Sequence, residues 1–404
     1  MCGIIAPCPC AAGASLLPAH RARGGFSVIY LDYSANMPAD PEVLEAFCTA
    51  ERAFIGNANS NHVAGQQARS EMERAVQAIA ARMGALPEEV ILTSGASEAN
   101  NLAIKGIARA SRHVGRHIIS TPLEHASVSG ALTALQEQGW EIDLLDIRRD
   151  GTVDVEQLRT LLRKDTVLVA VGWVDSELGT VQPVPEIASL LKAFPQCRLH
   201  VDATQAVGKI PLSFEGVDTL SFAPHKFGGL NGSGVLLKRR GLVLEPLIHG
   251  GASTTIYRSG TPALGLAVAT EKALELALEN LEDRRAVVQV HNDRLRAALS
   301  AYPKLRINSP AGAVPHILNL SVEGVRGAAA QRALSARGVC VSVKSACSVG
   351  NTPSRAVYAV SHDRKNALNS WRISLSHRTT AAELDNFLSI FDECYREGFS
   401  CPGN

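Results

Sequence analysis

Short apolar runs separated by helix-length amphipathic segments restrict this chain more than any other feature. Runs at 90–93, 117–120, 142–147, 167–174, 199–202, 219–222 and 234–238 have strand length, and stretches such as 97–110 and 185–194 between them have helical periodicity. Strands alternating with helices bury both kinds of apolar face when helices cover a mainly parallel sheet, so an α/β architecture is expected. The segment 267–299 is long, charged and helical and reads as a connector. Beyond it, short strands at 317–321, 339–343 and 371–375 mixed with helices indicate a smaller α+β unit. The expected division is a disordered leader at 1–27, a large α/β domain at 41–280, and a small α+β domain built from 28–40 and 281–404.

Composition agrees with an enzyme-sized globular chain: 404 residues, 46% hydrophobic and 20% charged. Forty basic against 39 acidic side chains give a net charge of +1, which favours neither nucleic acid nor an anionic membrane as partner. No apolar run approaches the roughly 18 residues of a membrane span. Residues 1–25 hold Cys2, Cys8 and Cys10 but lack the basic-then-apolar order of a secretory signal. The nine cysteines show no paired metal spacing, so no metal site is expected, and the thiols fit a reducing, cytoplasmic compartment.

One lysine stands apart from the ordinary solvated kind. Lys226 ends the apolar run Thr219-Leu220-Ser221-Phe222 through Ala223-Pro224-His225, just before the glycine-rich turn Phe227-Gly228-Gly229. The preceding strand, Arg198-Leu199-His200-Val201-Asp202, carries an acid at its own C-terminal end, where open α/β sheets place their ligands. An amine and a carboxylate at neighbouring strand ends suit pyridoxal 5'-phosphate (PLP), whose aldehyde needs a lysine and whose ring nitrogen needs an anion. A phosphate site is expected at Thr93-Ser94-Gly95-Ala96-Ser97, a strand, a glycine turn and a helix start, with Ser97 able to cap and free amides at the helix N-terminus. His125 follows another strand, where an imidazole can stack on the cofactor ring and move protons near neutral pH.

With these residues in place, the chain from Tyr30 to about Phe391 resembles the cysteine desulfurases, PLP enzymes of the class V aminotransferase superfamily. The resemblance is carried by Tyr30-Leu31-Asp32, Gly56-Asn57 to His62, Ser94-Gly95-Ala96-Ser97-Glu98, Glu124-His125, Val201-Asp202-Ala203-Thr204-Gln205, His225-Lys226, His249-Gly250-Gly251, Arg258-Ser259-Gly260-Thr261, Ser345-Ala346-Cys347 and Arg372-Ile373-Ser374. It implies PLP-dependent transferase fold type I, with a large, mainly parallel seven-stranded sheet domain and a smaller α+β domain. It also implies a homodimer that takes L-cysteine and passes its sulfur to an acceptor protein. By this resemblance Lys226 is the Schiff-base lysine and later proton carrier, Asp202 the pyridinium partner, Gln205 a donor to the ring phenolate, and His125 the stacking acid–base residue. Ala96, Ser97 and His225 would hold the phosphate, with Thr261 from the other subunit. Arg372 would take the substrate carboxylate as a bidentate pair. Cys347 would be the nucleophile that leaves as a persulfide.

Several positions depart from the family pattern. Asp175-Ser176 stands where two asparagines are usual, so Ser176 replaces an amide that contacts the cofactor. Ala223 and Pro224 replace a phosphate-binding serine and a glycine, and Asn36, Ala252 and Lys344 replace smaller or different residues. Three readings stay open on these residues: a cysteine desulfurase, a related PLP lyase or aminotransferase such as a selenocysteine lyase, and a weakly active scaffold of the same fold.

Overall fold

The computed structural model describes residues 28–251, 253–344 and 352–400. Its strands are β1 (Ile29–Tyr30), β2 (Val90–Thr93), β3 (His117–Ser120), β4 (Glu141–Leu144), β5 (Thr166–Gly172), β6 (Arg198–Asp202), β7 (Thr219–Phe222), β8 (Gly234–Lys238), β9 (Leu305–Ile307), β10 (Ile317–Val322), β11 (Val339–Cys340) and β12 (Ser370–Ser374). Seven form one sheet in the order β2-β8-β7-β6-β5-β3-β4. β8 runs antiparallel to both its neighbours and the remaining pairs are parallel. The expected large, mainly parallel seven-stranded sheet is therefore present, with a smaller α+β assembly beside it.

Alternation along each strand explains why helices cover both faces. Ile118 and Leu236 join one apolar cluster with Leu102, Ile107 and Leu135, while their neighbours Ile119, Val235 and Leu237 join another with Leu158, Ile187 and Leu274. A separate cluster gathers β1, β10 and β12 against the helix Ala381–Arg396, with Trp371, Phe387 and Phe391 as its largest members. There β12, β10 and β9 form an antiparallel sheet, and β1 pairs with β11. Among the described residues no helix is long and apolar enough to cross a membrane.

Several readings of the sequence shift in the structure: the strand expected at 167–174 ends at Gly172, and the one expected at 339–343 ends at Cys340. The stretch 142–147 contracts to β4 at Glu141–Leu144, an edge strand, because Leu145 and Ile147 leave the sheet and bury themselves in the core. The helical connector is two helices, Leu264–Glu279 and Leu281–Leu299, hinged at Asn280, where φ of −108° and ψ of 18° leave the helical region. Asn280 breaks the backbone without interrupting the charged pattern, so periodicity alone does not reveal it.

The loops by which the large sheet reaches the cavity leave it at C-terminal strand ends. β2 leads into Gly95, β3 into His125, β5 into Asp175 and Ser176, β6 ends on Asp202, and β7 leads into Lys226. Register places Gly172 beside Asp202 and Asp202 beside Ser221, so the three central ends lie at one level. Close approach fixes the first of these loops. A Cβ at Gly234 would lie 2.4 Å from the Gly95 carbonyl carbon, so only glycine lets β8 run against that turn. Gly234→Ala is accordingly expected to cost about 1–3 kcal/mol through overpacking and to displace Gly95. Urea unfolding of the apoprotein and a PLP titration check it, and an unchanged protein in both would show that the turn yields freely.

Candidate active site

The strand ends enclose a cavity of about 420 Å³. Ala96, Ser97, His125, Ser176, Asp202, Gln205, His225, Lys226 and Arg372 all line it, with Glu124, Asp175, Thr204 and Ala223 between them. Thr261 does not reach this cavity within one chain; it is exposed in the segment before the helix Leu264–Glu279. Cys347 lies outside the described residues.

Lys226 sits in a short 3-10 turn, Pro224–Lys226, that proline initiates. Its Nζ donates to the carbonyls of Ser34 at 2.9 Å and Ala35 at 2.7 Å, which draws the segment after β1 over the sheet edge. The Ser34 carbonyl also accepts from Gln205 Nε2 at 2.9 Å, and Gln205 Oε1 accepts from the buried Lys209. Since an amide nitrogen carries two hydrogens, Gln205 keeps one for the cavity. His225 is pushed down to about 4 by burial and by the charges of Lys226 and Lys209, so it is a neutral donor or acceptor at neutral pH.

At the far end the helix Ala96–Ala110 begins at Gly95, and no side chain caps it. Ser97 is therefore not the cap that the sequence suggests: it lies inside the first turn. Glu98 accepts instead from the Ser94 amide at 2.7 Å and pairs with Arg258 at 3.0 Å. First-turn amides are thus left for an anion, and the helix dipole favours one there.

Asp202 is 8% exposed, and its carboxylate is held from two sides. Asn100 Nδ2 donates to Oδ2 at 2.8 Å and the Thr204 amide donates to Oδ1 at 2.9 Å. Asn100 is the residue that sequence reasoning missed. Fully buried, it also donates to Ser127 Oγ at 2.9 Å and accepts from His200 Nε2 at 3.1 Å and from Ser221 Oγ. Burial lowers His200 to about 4, so its neutral ring donates at Nε2 and accepts from Thr219 at Nδ1. The available signal was Asn100 on the same helical stripe as Ala99, Ala103, Ile104 and Ile107, a polar side chain on an apolar face.

Asn100 sets His125 as well. Ser127 Oγ receives the asparagine hydrogen, so its own hydroxyl turns to His125 Nδ1 at 2.8 Å, and the Ser127 backbone N–H also donates there at 3.2 Å. Two donors on Nδ1 place the single ring proton on Nε2. Burial holds His125 below its ordinary range, with Asp202 opposing.

Arg372 enters from β12 and is 1% exposed. It pairs with Asp32 Oδ1 at 2.9 Å and donates to the Ser176 carbonyl at 2.6 Å, and Ser342 donates to the other Asp32 oxygen at 2.8 Å. Two buried acids complete the wall. Glu124 is raised to about 8, chiefly by burial, although Thr121 and the Gly172 amide both donate to its Oε1. Asp175 is raised to about 7 by burial and by Glu177.

The donor set fits PLP. Amides at an uncapped helix start suit a phosphate, a buried carboxylate suits a ring nitrogen, and a lysine amine lines the same cavity. Buried Thr204 Oγ1, which has no partner among the described residues, lies on that wall as well.

Comparison with known proteins identifies the family. The aminotransferase class-V family model matches residues 29–387. An IscS-like cysteine desulfurase from Mycobacterium tuberculosis is 37% identical over 373 residues, covering 89% of this chain and 94% of that protein. A NifS/IcsS protein homolog from Lactobacillus delbrueckii subsp. bulgaricus is 35% identical over 91% of this chain and 97% of its own. Among solved structures, a NifS-like protein superposes with a TM-score of 0.86 at 33% identity, over 92% of this chain and 100% of that one. SspA in complex with cysteine gives 0.76 at 30% identity, over 86% and 98%. The chain belongs to the cysteine desulfurases of the class-V aminotransferase family. It is accordingly an enzyme whose cofactor is PLP.

Two expectations follow from the buried groups. Asn100→Leu leaves Asp202, Ser127, His200 and Ser221 without a common partner, which should destabilise the apoprotein by about 1–3 kcal/mol or more and loosen PLP on the order of tenfold. Urea unfolding and a spectrophotometric PLP titration measure the two, and wild-type affinity would refute the hub. For Glu124 the folded-state value lies above the ordinary one, so the fold binds the extra proton and loses that stabilisation as pH rises towards about 8. Glu124→Gln keeps an acceptor for Gly172 and should flatten the fall in apoprotein stability between pH 5 and 8. Parallel curves for wild type and variant would contradict it.

Proposed function

We propose that the protein converts L-cysteine to L-alanine and moves the sulfane sulfur onto Cys347 as a persulfide, from which an acceptor protein draws it for iron–sulfur cluster or other thio-cofactor biosynthesis. The observation that carries this reading is the single cavity in which Lys226, Asp202, His125 and Arg372 meet.

Bound in that cavity, PLP supplies an electron sink for the substrate α-carbon. Ala96, Ser97 and His225 would hold its phosphate, Asp202 its ring nitrogen, Gln205 and Ser176 its phenolate side, and Lys226 its aldehyde carbon. Arg372 would hold the substrate carboxylate in fork geometry, since its fixed pairing with Asp32 orients the guanidinium. The Lys226 amine would carry the α-proton to and from carbon, and His125 Nε2–H, locked by its tautomer, would donate into the ring side of the site. The Cys347 thiolate would attack the substrate sulfur: an S–S bond forms as the Cβ–S bond breaks, and the carbon takes a proton to become the methyl group of alanine. Electrons balance without an external oxidant, because the substrate carbon is reduced as the sulfur pair becomes a persulfide.

A homodimer completes the proposal, with Thr261 from the partner subunit reaching the phosphate end. In its support, Ile55, Val63 and Ile256 are exposed, and Asn59 bonds Ser253 at 3.0 Å to join their segments. Arg258 ties the segment before Thr261 to Glu98, beside the uncapped helix start. A cytoplasmic setting fits the free thiols.

Lys226→Ala should remove both the visible absorbance of the purified protein and all sulfide release from L-cysteine. Cys347→Ser should keep that absorbance and still bind L-cysteine, yet release no sulfide, because a hydroxyl cannot accept sulfane sulfur. Mass spectrometry after L-cysteine should find the added sulfur on Cys347; sulfur only on Cys340 or Cys394 would overturn the assignment. Full sulfide release by Cys347→Ser would move the function to a lyase.

A further inference from the structure

Asp175 stands on the cavity wall beside the residue that would hold the substrate carboxylate, and the proposed function gives it no task. It is 5% exposed. One oxygen, Oδ1, accepts from the Glu177 amide at 3.1 Å and from the Leu178 amide, which stitches the turn after β5 and prevents the carboxyl from swinging away. The other, Oδ2, is buried without a hydrogen-bond partner among the described residues. A carboxyl so fixed has one free oxygen and no donor to satisfy it, which is costly for the anion.

The charges around it come from several elements. Glu177 in its own turn and Glu124 after β3 repel it, and Arg372 on β12 attracts it. Arg372 is already paired with Asp32, from the segment after β1. An incoming substrate carboxylate would be a further anion against one guanidinium. With Asp175 ionised, two fixed carboxylates compete with the substrate for that cation; with Asp175 protonated, only Asp32 does.

We propose that Asp175 is a specificity-determining residue whose protonation sets how tightly Arg372 holds an anionic carboxylate, so that substrate binding and proton uptake at Asp175 are coupled. This inference rests on the reading of Arg372 as the carboxylate site. Its reach is set by where the group titrates: burial and Glu177 raise Asp175 to about 7, so the change falls within the neutral range. The sign is fixed. Raising pH ionises Asp175 and weakens carboxylate binding, so KM rises while the proton transfers behind kcat are untouched by this group.

Asp175→Asn separates the charge from the fold, because an amide oxygen still accepts from the Glu177 and Leu178 amides while the group no longer titrates. Calorimetry of the holoenzyme with L-alanine, the product of the proposed reaction, which carries the same carboxylate and no sulfur to transfer, reads binding directly. Between pH 6 and pH 8.5 the wild-type Kd should weaken on the order of tenfold more than that of Asp175→Asn, the scale of one nearby charge in a partly buried site. In buffers of different ionisation enthalpy at pH 8, wild type should take up a fraction of a proton on binding that the variant does not. Because Asp175 helps to raise Glu124, the comparison is repeated in a Glu124→Gln background, which removes that second titration from both proteins. Cysteamine, which lacks the carboxylate, should bind both proteins with the same pH dependence. Equal pH dependence and equal proton uptake with L-alanine would overturn the coupling, even if sulfide release from L-cysteine is intact. Failure of both proteins to bind L-alanine or L-cysteine at any pH would bring down the substrate reading, and this inference with it.

Discussion

Everything at the centre of this protein hangs on one buried amide. Asn100 uses both hydrogens and both acceptor positions, and its four partners come from β6, β7 and the start of the helix Ala126–Gln136. A group with no spare valence admits one arrangement of its neighbours. The orientation of Asp202 and the tautomers of His125 and His200 are consequences of that arrangement rather than separate choices. In a low-dielectric interior a fully satisfied network rigidifies its members, whereas any missing partner leaves a costly orphan. The anion and the imidazole that would face the cofactor are therefore set before any ligand arrives.

Charge is the second constraint, and both signs are buried together. Lys209, behind the cavity wall, is driven well below its ordinary range by burial and by its cationic neighbours Lys226 and Arg372. Glu124, Asp175 and Asp202 line the same cavity, and repulsion among them helps to raise Glu124. Such a site is poorly neutralised within the chain. A ligand with separate anionic and cationic groups relieves both signs at once, which is what a phosphate, a phenolate and a protonated ring nitrogen provide. The same tension that destabilises the apoprotein thereby becomes affinity for the cofactor.

Much of this was legible in the sequence because it depends on strand ends. The strands at 90–93, 117–120, 219–222 and 234–238 take the expected bounds, since each is a short apolar run closed by glycine, proline or a polar residue. Lys226, Asp202 and His125 were legible for the same reason: a charged or imidazole side chain directly after a parallel strand has few other places to point. What stayed hidden depends on contacts distant in sequence. Asn100 and Asp202 are separated by 102 positions, and nothing local marks Asn100 beyond its place on an apolar stripe. Asp175 was visible as a departure from the family pattern, but its titration depends on burial and on Glu177, Glu124 and Arg372, which only folding assembles. Cys340 reads as a buried thiol within an apolar run, yet it is only half-buried, because β11 is two residues long and pairs with β1 at its edge.

The pairing of Arg372 with Asp32 shows how the smaller assembly takes part in the chemistry of the larger. Asp32 follows β1 and forms a bridge with Ser374, so the N-terminal segment is stitched onto β12 beside the arginine it neutralises. The carbonyls of the next residues, Ser34 and Ala35, receive Lys226 from the far side of the cavity. A stretch of four residues thus holds the substrate-side cation and the lysine in register with each other. Displacing it would uncouple the two groups without altering either. Breaking the pair by removing Asp32 would leave a guanidinium with little solvent access and no fixed counter-charge, a much larger penalty than losing a surface ion pair. The selectivity proposed for Arg372 would therefore rest on a residue that need never touch substrate: Asp32 and the Ser176 carbonyl fix the guanidinium, whose Nε is buried without a partner among the described residues, so that only its terminal nitrogens are left to meet a ligand.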